Sequence, residues 1–159
     1  MKEKGLIKNE ENIHAPQLLE RKILMQNLNW FYILKLNYSI FISKYLELPL
    51  CILPSELLRY RVLNPMMYAT QGTIDGTCIA LEKGWAINLS GGYHHAQLNA
   101  GGGFCIYPDI TLAVKNLLKY HNYIVNKIMI VDLDAHQGNG HENDFINNKD
   151  IFIVDAYNP

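Results

Sequence analysis

The stretch that most restricts how this chain can fold is Ile128-Met129-Ile130-Val131-Asp132-Leu133-Asp134-Ala135-His136-Gln137-Gly138-Asn139-Gly140. A four-residue apolar run that ends in a polar string closed by Gly-Asn-Gly reads as a buried strand leading into a loop. Asp132, Asp134 and His136 are spaced two apart, so in extended chain they project to one face. Two carboxylates and an imidazole at the end of a buried strand carry a desolvation cost that something positive must offset. A metal ion is the simplest answer. Taken singly, Asp134 reads as a turn cap and His136 as a satisfied core histidine; only the whole string points to metal.

A second cluster lies upstream: Gly91-Gly92-Tyr93-His94-His95, followed by Gly101-Gly102-Gly103-Phe104-Cys105. Paired histidines on a glycine-rich loop, after the apolar run Trp85-Ala86-Ile87-Asn88-Leu89, suggest imidazoles presented to a ligand, although isolated pairs also occur in surface loops. The triple glycine lacks the Gly-x-Gly-x-x-Gly spacing and the following acidic residue of a dinucleotide loop. Together the two clusters resemble the zinc-dependent histone deacetylase family, most closely its class IV branch. The resemblance is dense from about Leu50 to Pro159 and poor before it, so residues 1–48 form a poorly matched segment and 49–159 a partial catalytic domain.

Composition sets the outer limits. A chain of 159 residues supports one domain with a real core. A net charge of −1, with basic residues scattered, gives no reason to expect direct nucleic-acid or anionic-membrane binding. Cys51, Cys78 and Cys105 form no Cys-x-x-Cys pair and are odd in number, which argues for reduced thiols in cytosol or nucleus. The charged N-terminus lacks the apolar region of a signal peptide. Lys35, Lys44, Asn29, Asn37 and Glu47 interrupt the apolar stretch from Leu28 to Leu50, so no membrane span is expected.

In chain order, Gln17–Met25 suits a short helix, and Asn27–Tyr45 shows no clean period. Pro49–Pro54 suits an edge strand or extended passage, and Ser55 opens a helix that Asn64-Pro65 interrupts. The next helix spans Thr70–Lys83 and ends at Gly84; Gly72 and Gly76 within it suggest close packing. Trp85–Leu89 is expected as a strand. Asp109 caps a helix to about His121, with Ile110, Ala113, Val114, Leu117 and Leu118 in one stripe. Lys127–Leu133 and Ile151–Val154 are strands joined through a short polar turn or helix, His141–Asn147. The fold class is α/β: a parallel sheet with helices on both faces, arginase/deacetylase-like. Ligands in such sheets sit beyond the carboxyl ends of the strands, where both clusters and Asp155 fall.

The resemblance also implies roles. Asp134 and His136 would be zinc ligands, with a third carboxylate beyond residue 159. His95 would be the main general base and acid and His94 its electrostatic partner. Asp132 would orient the first histidine. Asn139, which class IV members share, would orient the second without a full charge. Asp132, Asp134, His136, Asp155 and the backbone of Ala156 would hold a monovalent cation, usually K+; Asp155 alone reads equally as a strand-end turn residue. Phe104 would wall an acyl-lysine channel that Gly102 and Gly103 let approach closely, with core packing as its plainer reading.

The function so implied is Zn2+-dependent hydrolysis of acyl-lysine amides on histones or other proteins, in nucleus or cytoplasm. The missing third ligand and an oxyanion-binding tyrosine, whose loss typically costs ~100- to 1,000-fold in rate, make a fragment with little or no activity the expectation for this polypeptide alone. A non-catalytic binding module retaining half of the fold is the alternative, and an acetyl-polyamine hydrolase a third reading.

Overall fold

A computed structural model describes residues 12–158; the charged N-terminal stretch read against a signal peptide lies outside them. Three short helices, α1 (Arg21–Asn27), α2 (Trp30–Lys35) and α3 (Ser39–Leu46), come first. Leu24, Leu28, Tyr32 and Leu36 recur every four residues and are all buried, yet a break at Leu28–Asn29 divides them and a second at Leu36–Tyr38 separates α2 from α3. Asn29 caps α2, its side chain accepting from the Phe31 and Tyr32 amides, and Glu47 closes α3 with φ +55°. These interruptions scramble the helical period of Asn27–Tyr45.

From Ser55 to Lys83 the path is helical throughout: α4 (Ser55–Leu58), a π-helical turn Arg59–Leu63, and α5 (Asn64–Lys83). The expected break at Asn64-Pro65 does not occur. Pro65 sits in the first turn of α5, where its missing N–H and fixed φ are tolerated, and the π turn lets the Asn64 amide bond to the Arg59 carbonyl. Gly84 ends α5 at φ +92°, with its amide on the Ala80 carbonyl. Gly72 is pressed against Asn88, whereas Gly76 faces open space, so close packing holds for the first glycine alone.

Two other expectations are corrected. Pro49–Pro54 is a succession of turns, because Leu50 and Leu53 bond back to Leu48 and Leu50 and the Ser39 hydroxyl takes the Leu53 carbonyl. Trp85–Leu89 forms no regular element and pairs with no strand among the described residues. Instead the Asn88 amide ties it to α5, at the Ala69 carbonyl (3.1 Å) and the Thr73 hydroxyl (2.9 Å). Trp85, Ile87 and Leu89 are consequently more than 70% exposed.

Helix α6 (Asp109–Tyr120), strand β1 (Ile128–Asp132), helix α7 (Asn139–Phe145) and strand β2 (Ile151–Asp155) complete the order. β1 and β2 pair in parallel, with Ile128 opposite Ile151 and Asp132 opposite Asp155. α7 lies in the crossover that parallel pairing demands. Ile128, Ile130 and Ile153 point into a small core with Val114, Leu118, Phe145 and Ile151. The alternate residues, Met129, Val131, Phe152 and Val154, are exposed, so among the described residues helices cover one face of the sheet. A larger core joins α1–α5 to Ile106, Tyr107, Leu112 and Ala113. No helix among the described residues is long and apolar enough to cross a membrane.

Candidate active site

The parallel register sets Asp132 and Asp155 side by side at the carboxyl ends of their strands. Beyond them the chain turns tightly on its own carboxylates: the Asp134 amide donates to Asp132 Oδ1 (3.0 Å) and the His136 amide to Asp134 Oδ1 (2.8 Å). These turns leave the Asp134 and His136 side chains facing each other, His136 Nδ1 lying 3.0 Å from Asp134 Oδ1. Both are open to solvent, with side chains 52% and 77% exposed. The hydrogen bonds from His136 hold the Asp134 carboxyl below the usual range.

His94 and His95 come to the same place. His94 is buried; its Nδ1 lies 2.8 Å from Asp132 Oδ2 and its Nε2 3.7 Å from Asp134 Oδ1. An ionised carboxylate only accepts, so His94 turns an Nδ1 proton toward Asp132. His95 Nδ1 lies 2.7 Å from Asn139 Oδ1 and is oriented in the same sense. The ring centres of His94 and His95 are 4.1 Å apart, and those of His95 and His136 6.1 Å. Gly92, His94, Asp132 and Asp134 line a small cleft with Ile110, Ile130 and Val131.

Asp132 serves two imidazoles. His141, 1% exposed, places Nε2 2.8 Å from the same Oδ2 that His94 contacts. Burial pushes the Asp132 carboxyl up, but hydrogen bonds from His141, the Asp134 amide and His94 outweigh it and the pKa is lowered. Gly138 must be glycine here, because a Cβ would strike His141 and Asp132. Asp155 Oδ2 accepts the Gly138 amide (2.7 Å), while Oδ1 is buried without a partner.

The triple-glycine turn is held from below by α3. The Gly103 amide donates to Glu47 Oε1 (3.2 Å) and the Phe104 amide to the Tyr45 carbonyl (3.2 Å). Gly103, at φ +51°, lies against the His95 ring where no Cβ fits; Gly102 has open space around it. Phe104 is 56% exposed at φ +64°, a conformation costly for a bulky residue. Ala156 is exposed, its amide bonded to the Asp132 carbonyl (3.0 Å).

Sequence reading did not single out Asp109, His141 or Glu47. Asp109 was expected as a helix cap, but Pro108 holds that position and the Asp109 side chain caps nothing in α6. Its buried carboxylate reaches back to Thr73, Gly92 and Tyr93. No local signal marks such a contact, since the partners lie 16 to 36 residues away.

In donor chemistry Asp134 and His136 suit zinc, which takes carboxylate oxygen and imidazole nitrogen. Two ligands are one short of a usual catalytic set, and no group of three His, Cys, Asp or Glu gathers for a metal among the described residues. The orphaned Asp155 Oδ1 beside Asp132 suits a hard cation, for which such oxygens are ordinary ligands.

The family model for the histone deacetylase domain matches residues 2–159. Histone deacetylase 2 of Arabidopsis thaliana is 40% identical over 129 residues, 80% of this chain and 33% of that protein. Human histone deacetylase 1 is 39% identical over 69 residues, 43% of this chain and 14% of that protein. The crystal structure of a histone deacetylase homolog from Aquifex aeolicus superposes with a TM-score of 0.69 at 20% identity, over 96% of this chain and 41% of that one. A homolog complexed with SAHA gives the same TM-score at 21% identity; at these identities the likeness is one of fold. The chain thus spans a third or less of these two curated relatives.

Proposed function

This chain belongs to the histone deacetylase family, and from that premise we propose that it carries the proton-handling half of a zinc-dependent, class IV-like lysine deacylase. One observation carries the reading. His94 and His95 are both held by a partner on Nδ1, Asp132 and Asn139, with His94 Nε2 3.7 Å from Asp134 Oδ1 and the His95 ring 6.1 Å from the His136 ring. Asp134 and His136 would hold the zinc, with a third ligand from outside the described residues; when bound, the ion supplies Lewis acidity. The chain's own residues do the rest. His95 Nε2 takes a proton from the attacking water and returns it to the departing lysine amine. His94, tied to a carboxylate that stays ionised, steadies the charge that appears on its neighbour.

Asn139 orients the His95 ring without adding a full charge, and the Asp-Leu-Asp-Ala-His-Gln-Gly-Asn-Gly string containing it supports the class IV-like assignment. Phe104 and Gly103 would flank the entering acyl-lysine, and Asp132, Asp134, His136, Asp155 and Ala156 would hold K+ or a similar cation. Acylated lysines of histones or other nuclear or cytoplasmic proteins are the proposed substrates.

The test is release of free lysine from an acetyl-lysine peptide by the purified protein with zinc added. We expect weak turnover that depends on added zinc and that His95→Ala lowers by roughly 100-fold or more. Turnover indifferent to both zinc and His95 contradicts the reading. A metal-free, inert protein favours the non-catalytic binding module.

A further inference from the structure

We propose that Asp109 is a positioning residue for the His94–His95 pair: its buried carboxylate anchors the backbone just before them and so sets where the two imidazoles stand. The role rests on reading those histidines as the proton-handling groups.

Asp109 is wholly buried and takes three converging donors. The Thr73 hydroxyl (2.6 Å) and the Gly92 amide (2.8 Å) reach Oδ2, and the Tyr93 amide (2.8 Å) reaches Oδ1. The turn is shaped around the carboxylate. Gly91 and Gly92 adopt φ +89° and +72° in succession, and a Cβ on Gly91 would collide with Asp109 Oδ2 and Thr73 Oγ1. His94 follows the anchored Tyr93 amide directly, so the lever between anchor and imidazole is a single residue. On its far side the loop is pinned by the Gly140 amide, which donates to the His94 carbonyl (2.8 Å). The histidines therefore sit between one clamp from α5 and α6 and a second from α7, the helix that also supplies Asn139.

A carboxylate is the side chain this site calls for. Asn has one acceptor oxygen, and its NH2 would face at least one of the three donors, leaving buried groups unpaired. Burial pushes the Asp109 carboxyl up, and the hydrogen bonds from Thr73, Tyr93 and Gly92 pull it back only in part.

The experiment uses the 15N-labelled full chain, its folding checked by circular dichroism, and needs no turnover. Two quantities are read: exchange of the Gly92 and Tyr93 amides, and the ring-nitrogen spectra of His94 and His95, which report the Nδ1–H form. In Asp109→Asn we expect those amides to exchange at least ~10-fold faster. Both rings should lose the uniform Nδ1–H signature while His121 is unmoved. Thr111→Val, which removes another buried hydrogen bond of α6 (Thr111 to Asp144, 2.7 Å), should lower Tm without moving the rings. Unchanged rings in folded Asp109→Asn, or unprotected Gly92 and Tyr93 amides in the parent protein, overturn the proposal. Should Asp109→Asn not fold, Thr73→Val decides: rings that move with the Gly92 amide uphold it, and rings that stay overturn it. Rings that respond in a protein whose turnover is indifferent to zinc and His95 would leave the Asp109 role standing and overturn the deacylase reading.

Discussion

At the scale of single residues, Asp132 holds the site together. Its carboxylate collects the Asp134 amide, His94 and His141, which is why its pKa lies below the ordinary value of 3.8. The unfolded chain then binds a proton at this position before the folded one does, so its contribution to stability is full above pH ~4 and lost as pH falls through the lowered value. Asp109 and Asp144, raised by burial, act in the opposite direction. In zinc-free protein, Asp132→Asn should therefore destabilise at neutral pH and lose part of the acid-side decline that the parent shows. Urea denaturation between pH 3 and 7 checks this, and equal slopes in the two proteins contradict it. Within each motif the crowding is legible from spacing, but that His94 and His95 meet Asp132 and Asn139, 38 and 44 residues on, is legible only from both motifs following apolar runs. Asp109 is not legible, since a side chain that reaches across the fold leaves no mark in its own neighbourhood, and His141 meets Asp132 only because the start of α7 folds back over it.

At the scale of elements, the start of α7 is a wedge. The Gly140 amide bonds to the His94 carbonyl, and a Cβ at Gly140 would strike the backbone of His94, His95 and Ala96. Gly140→Ala should thus force the histidine loop and α7 apart and lower stability by about 1–3 kcal/mol, as overpacking of a tight contact does. Chemical denaturation measures it; an unchanged midpoint would mean the contact is loose. β1 and β2 are readable in the sequence as apolar runs, and α6 because its stripe matches what it buries. The long helical path from Ser55 to Lys83 is not, because its proline falls where a helix tolerates one. Trp85–Leu89 misleads for another reason: its composition is that of a buried strand, but Asn88 ties it to α5 and no strand pairs with it among the described residues.

At the scale of the whole molecule, the chain divides its work. Helices α1–α5 form most of the larger core and support the site from beneath through Glu47 and Tyr45. The parallel pair and α7 bring the carboxylates and Asn139. One face of that pair, with Met129, Val131, Phe152 and Val154, is exposed, as are Trp85, Ile87 and Leu89. The parallel sheet and the placing of the site at its strand ends are readable from the order of apolar runs; that helices cover a single face here is not, because both faces of β1 are apolar in sequence. The central claim is that these side chains converge because a divalent cation belongs among them. Titrating zinc into 15N-labelled protein while following the histidine rings tests it most directly. The account predicts that the His136 ring responds first and that His94 and His95 shift with it, while His121 stays still. An unmoved His136, or zinc settling instead at Cys78 and His121, whose Sγ and Nε2 lie 3.7 Å apart, would contradict it.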